Sequence, residues 1–246
     1  FFYSLLYEED KWSYITDDIV AFEKSLDGIE KTYGYSLAYG RFSNTGNYFA
    51  VVEYIYPNTP ASRAGFVRGD LIIEINGRDI NDTNIQDLIS GTSVSVTKGV
   101  LTSVGIRSDE IVSMTAEELN LDPVLMKRII EKEGHRIGYL LYAQFIANYN
   151  PTSLLEALQY FSSSQITDFI LDLRYNPGGD TEAAQYLCSS LAPASVVNNN
   201  STLVTYQWND KYQAELTQHG YQNWLGINFN SQVPVKLGLQ KIHILT

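Results

Sequence analysis

Residues 169–187 read FILDLRYNPGGDTEAAQYL. An apolar run stops at Pro177-Gly178-Gly179, and an amphipathic pattern starts at once. Pro177 fixes φ and suits the second position of a turn, after which Gly178 takes positive φ at no steric cost. Two residues without side chains leave their N–H groups open to a ligand. Those groups lie at the N-terminus of the next helix, where the dipole favours negative charge. The turn thus has the composition of a small anion cradle. Two anions suit it: a phosphate, or the oxyanion that forms when a carbonyl is attacked. The sequence has no GxxxxGK[ST] and no GxGxxG after a strand, which weakens the phosphate. A tight strand-to-helix turn holding no ligand is a third reading of the same residues.

Few other residues have the spacing that chemistry needs. The single cysteine, Cys188, excludes an intrachain disulfide. It stands with Leu187 and Leu191 on an apolar helix face, which predicts a buried structural thiol. His135, His219 and His243 have no ligand-type spacing, so no metal site is expected. Ser162–Ser164 and Ser189–Ser190 lie on helical stretches with no base near in sequence. Seventeen Lys and Arg against 28 Asp and Glu give a net charge of −11. With no basic cluster, that argues against nucleic acid as a partner. The 246 residues, 44% hydrophobic and 18% charged, suit one large or two modest globular domains. No apolar run approaches the roughly 20 residues that a membrane-spanning helix needs.

The elements that would position the turn follow from periodicity. Residues 137–145 and 168–173 read as strands, the second apolar enough to be buried. Between them Asn150-Pro151 reads as an N-cap followed by Pro at the first helical position. Leu154, Leu155, Leu158 and Phe161 then share a helical face. After the glycines, Ala183, Ala184, Leu187, Cys188 and Leu191 form a second one. The order βαβα implies parallel strands. Residues 201–208 and 241–246 read as further strands around a polar insertion.

The N-terminal half has another texture. Residues 17–26 predict a short helix capped by Thr16 or Asp17, with Ile19, Phe22 and Leu26 packed on a neighbour and Gly28 past its end. From 31 to 102 short strands alternate with turns. A one-turn helix closes at Gly65, Asn76-Gly77 predicts a type I′ hairpin, and residues 83–90 predict a small helix. Within 103–136, EIVSMTAEEL (110–119) reads as a strand or a helix start, and LDPVLMKRIIEKEGHR (121–136) as a connector leading to a turn at Gly134. The fold class expected is mixed α/β: a short helical segment (1–30), a mostly-β domain (31–102), and a connector with a partial α/β core (103–246).

Two stretches resemble one family. YPNTPASRAGFVRGDLIIEINGRDI (56–80) is similar to the central signature of PDZ domains. IGYLLYAQF with FILDLRYNPGGD resembles the core of the C-terminal processing (tail-specific) peptidases, serine peptidase family S41. In that family a PDZ domain precedes the protease core in this order.

The resemblance implies an endopeptidase that captures substrate C-termini and cleaves by acyl transfer, without metal or cofactor. A PDZ domain holds a terminal carboxylate in a backbone nest and adds the peptide to a sheet edge. The matching loop offers N–H groups of Tyr33, Gly34 and Tyr35, with Leu37, Ile85 and Leu88 as the apolar groove. Gly178, with Gly179 beside it, matches a backbone oxyanion donor. The family's serine nucleophile and lysine base follow a strand that KIHILT (241–246) resembles, so they are expected beyond Thr246. The resemblance also implies a bacterial cell-envelope location, periplasmic or lipoprotein, with membrane contact only through a lipid anchor outside this chain. Two other readings stay open: a pseudoprotease that only binds peptide tails, and a small-ligand carrier on the same core.

Overall fold

The computed structural model describes residues 1–10 and 13–246. The chain forms two compact units, Phe1–Leu121 and Asp122–Thr246.

The first unit opens with helix α1 (Ile19–Leu26), capped by Asp18, whose carboxylate accepts the Ala21 N–H. The expected packing of its apolar face is absent: Ile19 and Leu26 are exposed. Strand β1 (Ile29–Thr32) follows, then β2 (Tyr35–Arg41), β3 (Tyr48–Ile55), helix α2 (Pro60–Arg63), β4 (Leu71–Ile75), β5 (Arg78–Asp79), helix α3 (Asp87–Ser90), β6 (Ser93–Thr102), β7 (Gly105–Thr115) and β8 (Glu117–Asn120). Strands β2-β3-β4-β6-β7 form one antiparallel sheet with β5 beside β4, and β1 pairs with β8. The β4–β5 hairpin turns on Asn76 and Gly77, both at positive φ, as a type I′ turn requires. Tyr33, Val52, Ile72, Ile75, Leu88 and Val96 form the centre of the core.

The expected domain edge at 102 falls inside the β6–β7 hairpin, and residues 103–121 belong to the first unit. The expected connector is therefore strand for most of its length. Strand β7 is largely exposed. Without a buried face it carries no hydrophobic alternation to read.

The second unit begins with β9 (Val124–Lys132), which forms a hairpin with β10 (His135–Tyr142) through Glu133 and Gly134, both at positive φ. Helix α4 (Leu155–Ser163) crosses to β11 (Asp168–Asp172), which runs parallel to β10. Helices α5 (Thr181–Leu191) and α6 (Ala194–Asn198) come next, then β12 (Thr202–Thr205), α7 (Asp210–Gln218), β13 (Gly226–Asn228) and β14 (His243–Leu245). The sheet order is β14-β11-β10-β9, with β14 parallel to β11, while β12 and β13 form a separate ribbon. Leu140, Leu158, Phe161, Phe169 and Leu187 fill the core between sheet and helices.

Asn150 does not cap α4. It already has helical dihedrals, and its side-chain oxygen is buried without a partner. The chain kinks at Thr152 (φ −117°, ψ −107°) before α4 begins. The polar stretch between β12 and β14 holds α7, a 3-10 turn at Gln222–Trp224 and β13, which pairs back onto β12.

Candidate functional site

The glycine turn lies where parallel strands β10 and β11 end, the edge at which open α/β sheets bind ligands. Asp180 caps α5 by accepting the Glu182 N–H at 2.6 Å. One residue-long extension of the sheet fixes the turn. Phe145 pairs in parallel with Gly179: the Phe145 N–H donates to the Gly178 carbonyl at 2.9 Å, and the Asp180 N–H donates to the Phe145 carbonyl at 2.8 Å. Alternation along an extended strand then turns the N–H of Gly179 itself away from Phe145. Gly178 and Gly179 sit at φ +115° and +131°, a region that side chains with a Cβ rarely adopt.

The two glycines are not equivalent. The Gly178 N–H, expected to be open, donates to the Asn176 Oδ1 at 2.8 Å, while the Asn176 Nδ2 donates to the Tyr142 carbonyl at 3.0 Å. Gly178 is therefore corrected from open donor to satisfied donor. The Gly179 N–H meets no acceptor among the described residues, and Gly179 is exposed. Of the two glycine N–H groups, the one left without an acceptor among the described residues is that of Gly179.

A charged anchor stands just before the turn. The Asp172 carboxylate is fully buried and takes two hydrogen bonds from the Arg174 guanidinium, at 2.7 and 3.0 Å, and one from the Tyr139 hydroxyl at 2.6 Å. The Arg174 bonds, with help from Tyr139, hold the Asp172 pKa down at about 2, against the opposing effect of burial. Neither this anchor nor the Asn176 cap was read from the sequence. An Asn two residues before a glycine is the spacing of an Asx turn, and it was the available signal.

Beside the turn, an apolar cavity of about 360 Å³ opens between α5 and β14, lined by Phe145, Leu187, Cys188, Leu191, Leu239 and Ile244 among others. Cys188 is exposed, contrary to the buried thiol expected, because its helix position faces this open groove rather than the closed core.

In the first unit, the expected carboxylate loop joins β1 to β2. Strand β2 is a sheet edge, paired only with β3, so its outer side is open to an added strand. The Tyr33 N–H meets no acceptor among the described residues, and the Gly34 N–H meets only the Thr32 hydroxyl at 3.4 Å. The side chains of Tyr33 and Tyr35 are core. Tyr33 is fully buried, and the Tyr35 hydroxyl donates to the Leu88 carbonyl at 2.9 Å. Gly34 sits at φ +84°, where a Cβ would lie 2.3 Å from the Thr59 Cβ. Leu88 is fully buried and belongs to the core rather than the groove floor. Leu37 and Ile85 are the partly buried pair left to line a groove.

Among the described residues no group of His, Cys, Asp and Glu is arranged to hold a metal ion, and no helix is long and apolar enough to cross a membrane.

Comparison with known proteins agrees with both halves of this picture. Residues 51–97 match the PDZ domain, and residues 136–236 match peptidase family S41. A carboxyl-terminal-processing protease of Picosynechococcus sp. is 31% identical over 140 residues, covering 54% of this chain and 33% of the relative. The chloroplastic carboxyl-terminal-processing peptidase 2 of Arabidopsis thaliana is 30% identical over 155 residues, covering 59% of this chain and 29% of the relative. The crystal structure of a protein assigned as an S41 protease, from Bacteroides fragilis, superposes with a TM-score of 0.66 at 27% identity, over 94% of this chain and 66% of that one. The matched stretch spans about a third of the length of the two curated relatives. With a PDZ match over residues 51–97 ahead of a strand, glycine turn and helix that match peptidase family S41 over residues 136–236, the chain is similar to the PDZ-bearing members of that family.

Proposed function

We propose that this chain is the peptide-capturing and oxyanion-holding part of a carboxyl-terminal-processing endopeptidase. The first unit takes a substrate C-terminus: the Tyr33–Tyr35 backbone receives the carboxylate, and edge strand β2 pairs with the tail beside Leu37 and Ile85. The second unit supplies the Gly179 N–H to the oxygen that gains charge when the scissile carbonyl is attacked. The serine nucleophile and lysine base are those of the family, in sequence that follows β14 in the longer protein. A tetrahedral oxyanion beside the N-terminus of α5 gains from the fixed amide dipoles there, with no reorganisation at the moment of reaction. The cell envelope is the proposed location, by likeness to bacterial members of the family.

The observation that carries this reading is the unpaired N–H of Gly179, turned outward by the Phe145 bridge. The test is a backbone amide-to-ester replacement that removes only that N–H from the full-length protein. Loss of one such donor lowers kcat about 100-fold or more on labelled casein. Unchanged turnover would remove Gly179 from the reaction. A full-length wild type that binds tails and never cleaves would establish the pseudoprotease instead.

A further inference from the structure

The Asn176 side chain touches both the glycine turn and the end of β10. Its amide is used at both ends: Nδ2 donates to the Tyr142 carbonyl at 3.0 Å, and Oδ1 accepts the Gly178 N–H at 2.8 Å. Its own N–H donates to the Leu173 carbonyl at 2.9 Å. The next peptide group along is the one with the free N–H. Successive peptide groups in the turn are each planar, and only φ and ψ of Gly178 lie between them. Glycine at φ +115° has no Cβ to hold that pair of dihedrals, and nothing lies within 4 Å of where one would be. The Phe145 N–H holds the second peptide by its Gly178 carbonyl, and the Asn176 Oδ1 holds the first by its Gly178 N–H.

We propose that Asn176 is a positioning residue for the oxyanion donor: by holding the Gly178 N–H inward, it fixes one side of the Gly178 dihedrals that, together with the Phe145 bridge, set the direction of the Gly179 N–H. The proposal rests on the reading of Gly179 given above. It adds a selection rule. Of two adjacent glycine N–H groups, the side chain two residues upstream satisfies one and so leaves only the other for a substrate. Two unpaired N–H groups on a flexible pair of glycines would share an anion less directionally, and orientation at the charge-bearing oxygen is what such a donor contributes.

Two variants separate aiming from mere support. Asn176→Ser keeps a neutral oxygen that can accept an N–H two residues on, but has no Nδ2 for Tyr142. Asn176→Ala loses both contacts. In the full-length protein with labelled casein, Asn176→Ala should lower kcat at least tenfold with KM within about twofold, and Asn176→Ser should recover most of that loss. If Ser falls as far as Ala, the contact to β10 matters and the aiming role is wrong. If Ala retains wild-type kcat, the proposal is also overturned. A second measurement uses the 246-residue chain and needs no turnover. Amide hydrogen exchange should show Gly178 protected and Gly179 unprotected in wild type, with protection at Gly178 lost in Asn176→Ala and partly kept in Asn176→Ser. A Gly178 amide that exchanges freely in wild type would refute the contact itself. An inactive wild-type full-length protein would sink the peptidase reading, while the exchange result would still judge Asn176.

Discussion

Phe145 and Gly179 face each other across a one-residue parallel bridge so close that a Cβ on Gly179 would lie 2.2 Å from the Phe145 carbonyl oxygen. Gly178, one residue earlier, has open space around the same position. Both pay the strain of positive φ when substituted, about 1–3 kcal/mol, but only Gly179 adds a backbone clash. Gly179→Ala should therefore destabilise the second unit by clearly more than Gly178→Ala. Urea unfolding of the two variants checks this, and equal midpoints would mean that the bridge does not form in solution.

The Asp172–Arg174 pair makes a prediction with a sign. The Asp172 pKa of about 2 in the folded protein lies below the ordinary value near 3.9. The stabilisation is thus complete above about pH 4 and is lost as pH falls toward 2. Arg174→Met leaves a buried carboxylate with only the Tyr139 hydroxyl and the residue 174 backbone N–H for support and should cost about 3 kcal/mol. Asp172→Asn leaves an arginine head that is already half in water and should cost less. Burial unopposed by Arg174 raises the Asp172 pKa, so the acid limb of the Arg174→Met stability curve should move to higher pH. A curve with unchanged shape would argue against the pair.

Peptide capture can be tested on the carboxylate alone. Matched apolar-ended peptides with free and amidated C-termini should differ at least tenfold in affinity for the chain, since amidation removes the charge that the Tyr33–Gly34 nest receives. Gly34→Ala should weaken the free peptide through both its φ and the Thr59 contact. Titration calorimetry reads both effects, and equal affinity for the two peptides would end the carboxylate assignment.

Cys188 should be slow rather than hidden. Its side chain reaches the groove, so a thiol reagent should modify it in the native protein. Desolvation raises its pKa above the ordinary thiol value, which lowers the thiolate fraction at neutral pH. Labelling at pH 7.5 should be slower than for a free cysteine and should accelerate beyond pH 9. Complete native-state protection would show the groove to be filled.

The sequence was most readable where one face of an element is buried. β10, α4, β11 and α5 stood out because apolar strands and 3.6-residue stripes are dictated by a shared core. Strand β7 stays ambiguous between strand and helix start in the sequence because it is mostly exposed and has no stripe to show. Asn150-Pro151 looked like a helix start, yet the chain was already helical there and kinked two residues later. The choice between Gly178 and Gly179 could be read locally only in part. The Asn-x-Gly spacing signals the Asx turn that satisfies Gly178, but the strand end more than thirty residues away that sets Gly179 leaves no mark nearby.

That distance has a kinetic meaning. Asn176 and Tyr142 are 34 residues apart in the chain, and the Phe145 bridge closes a loop of similar size. Closing such a loop costs entropy before any contact is gained, on the order of (3/2)RT ln n. A synthetic peptide of residues 168–191 would contain every atom of the donor turn and yet present it in many orientations, since the strand that selects one is missing. The turn should thus be among the later parts of the second unit to become ordered during folding. Its geometry should report on the completed βαβ core, so that damage to β10, more than thirty residues away in the chain, is read out as a misdirected N–H.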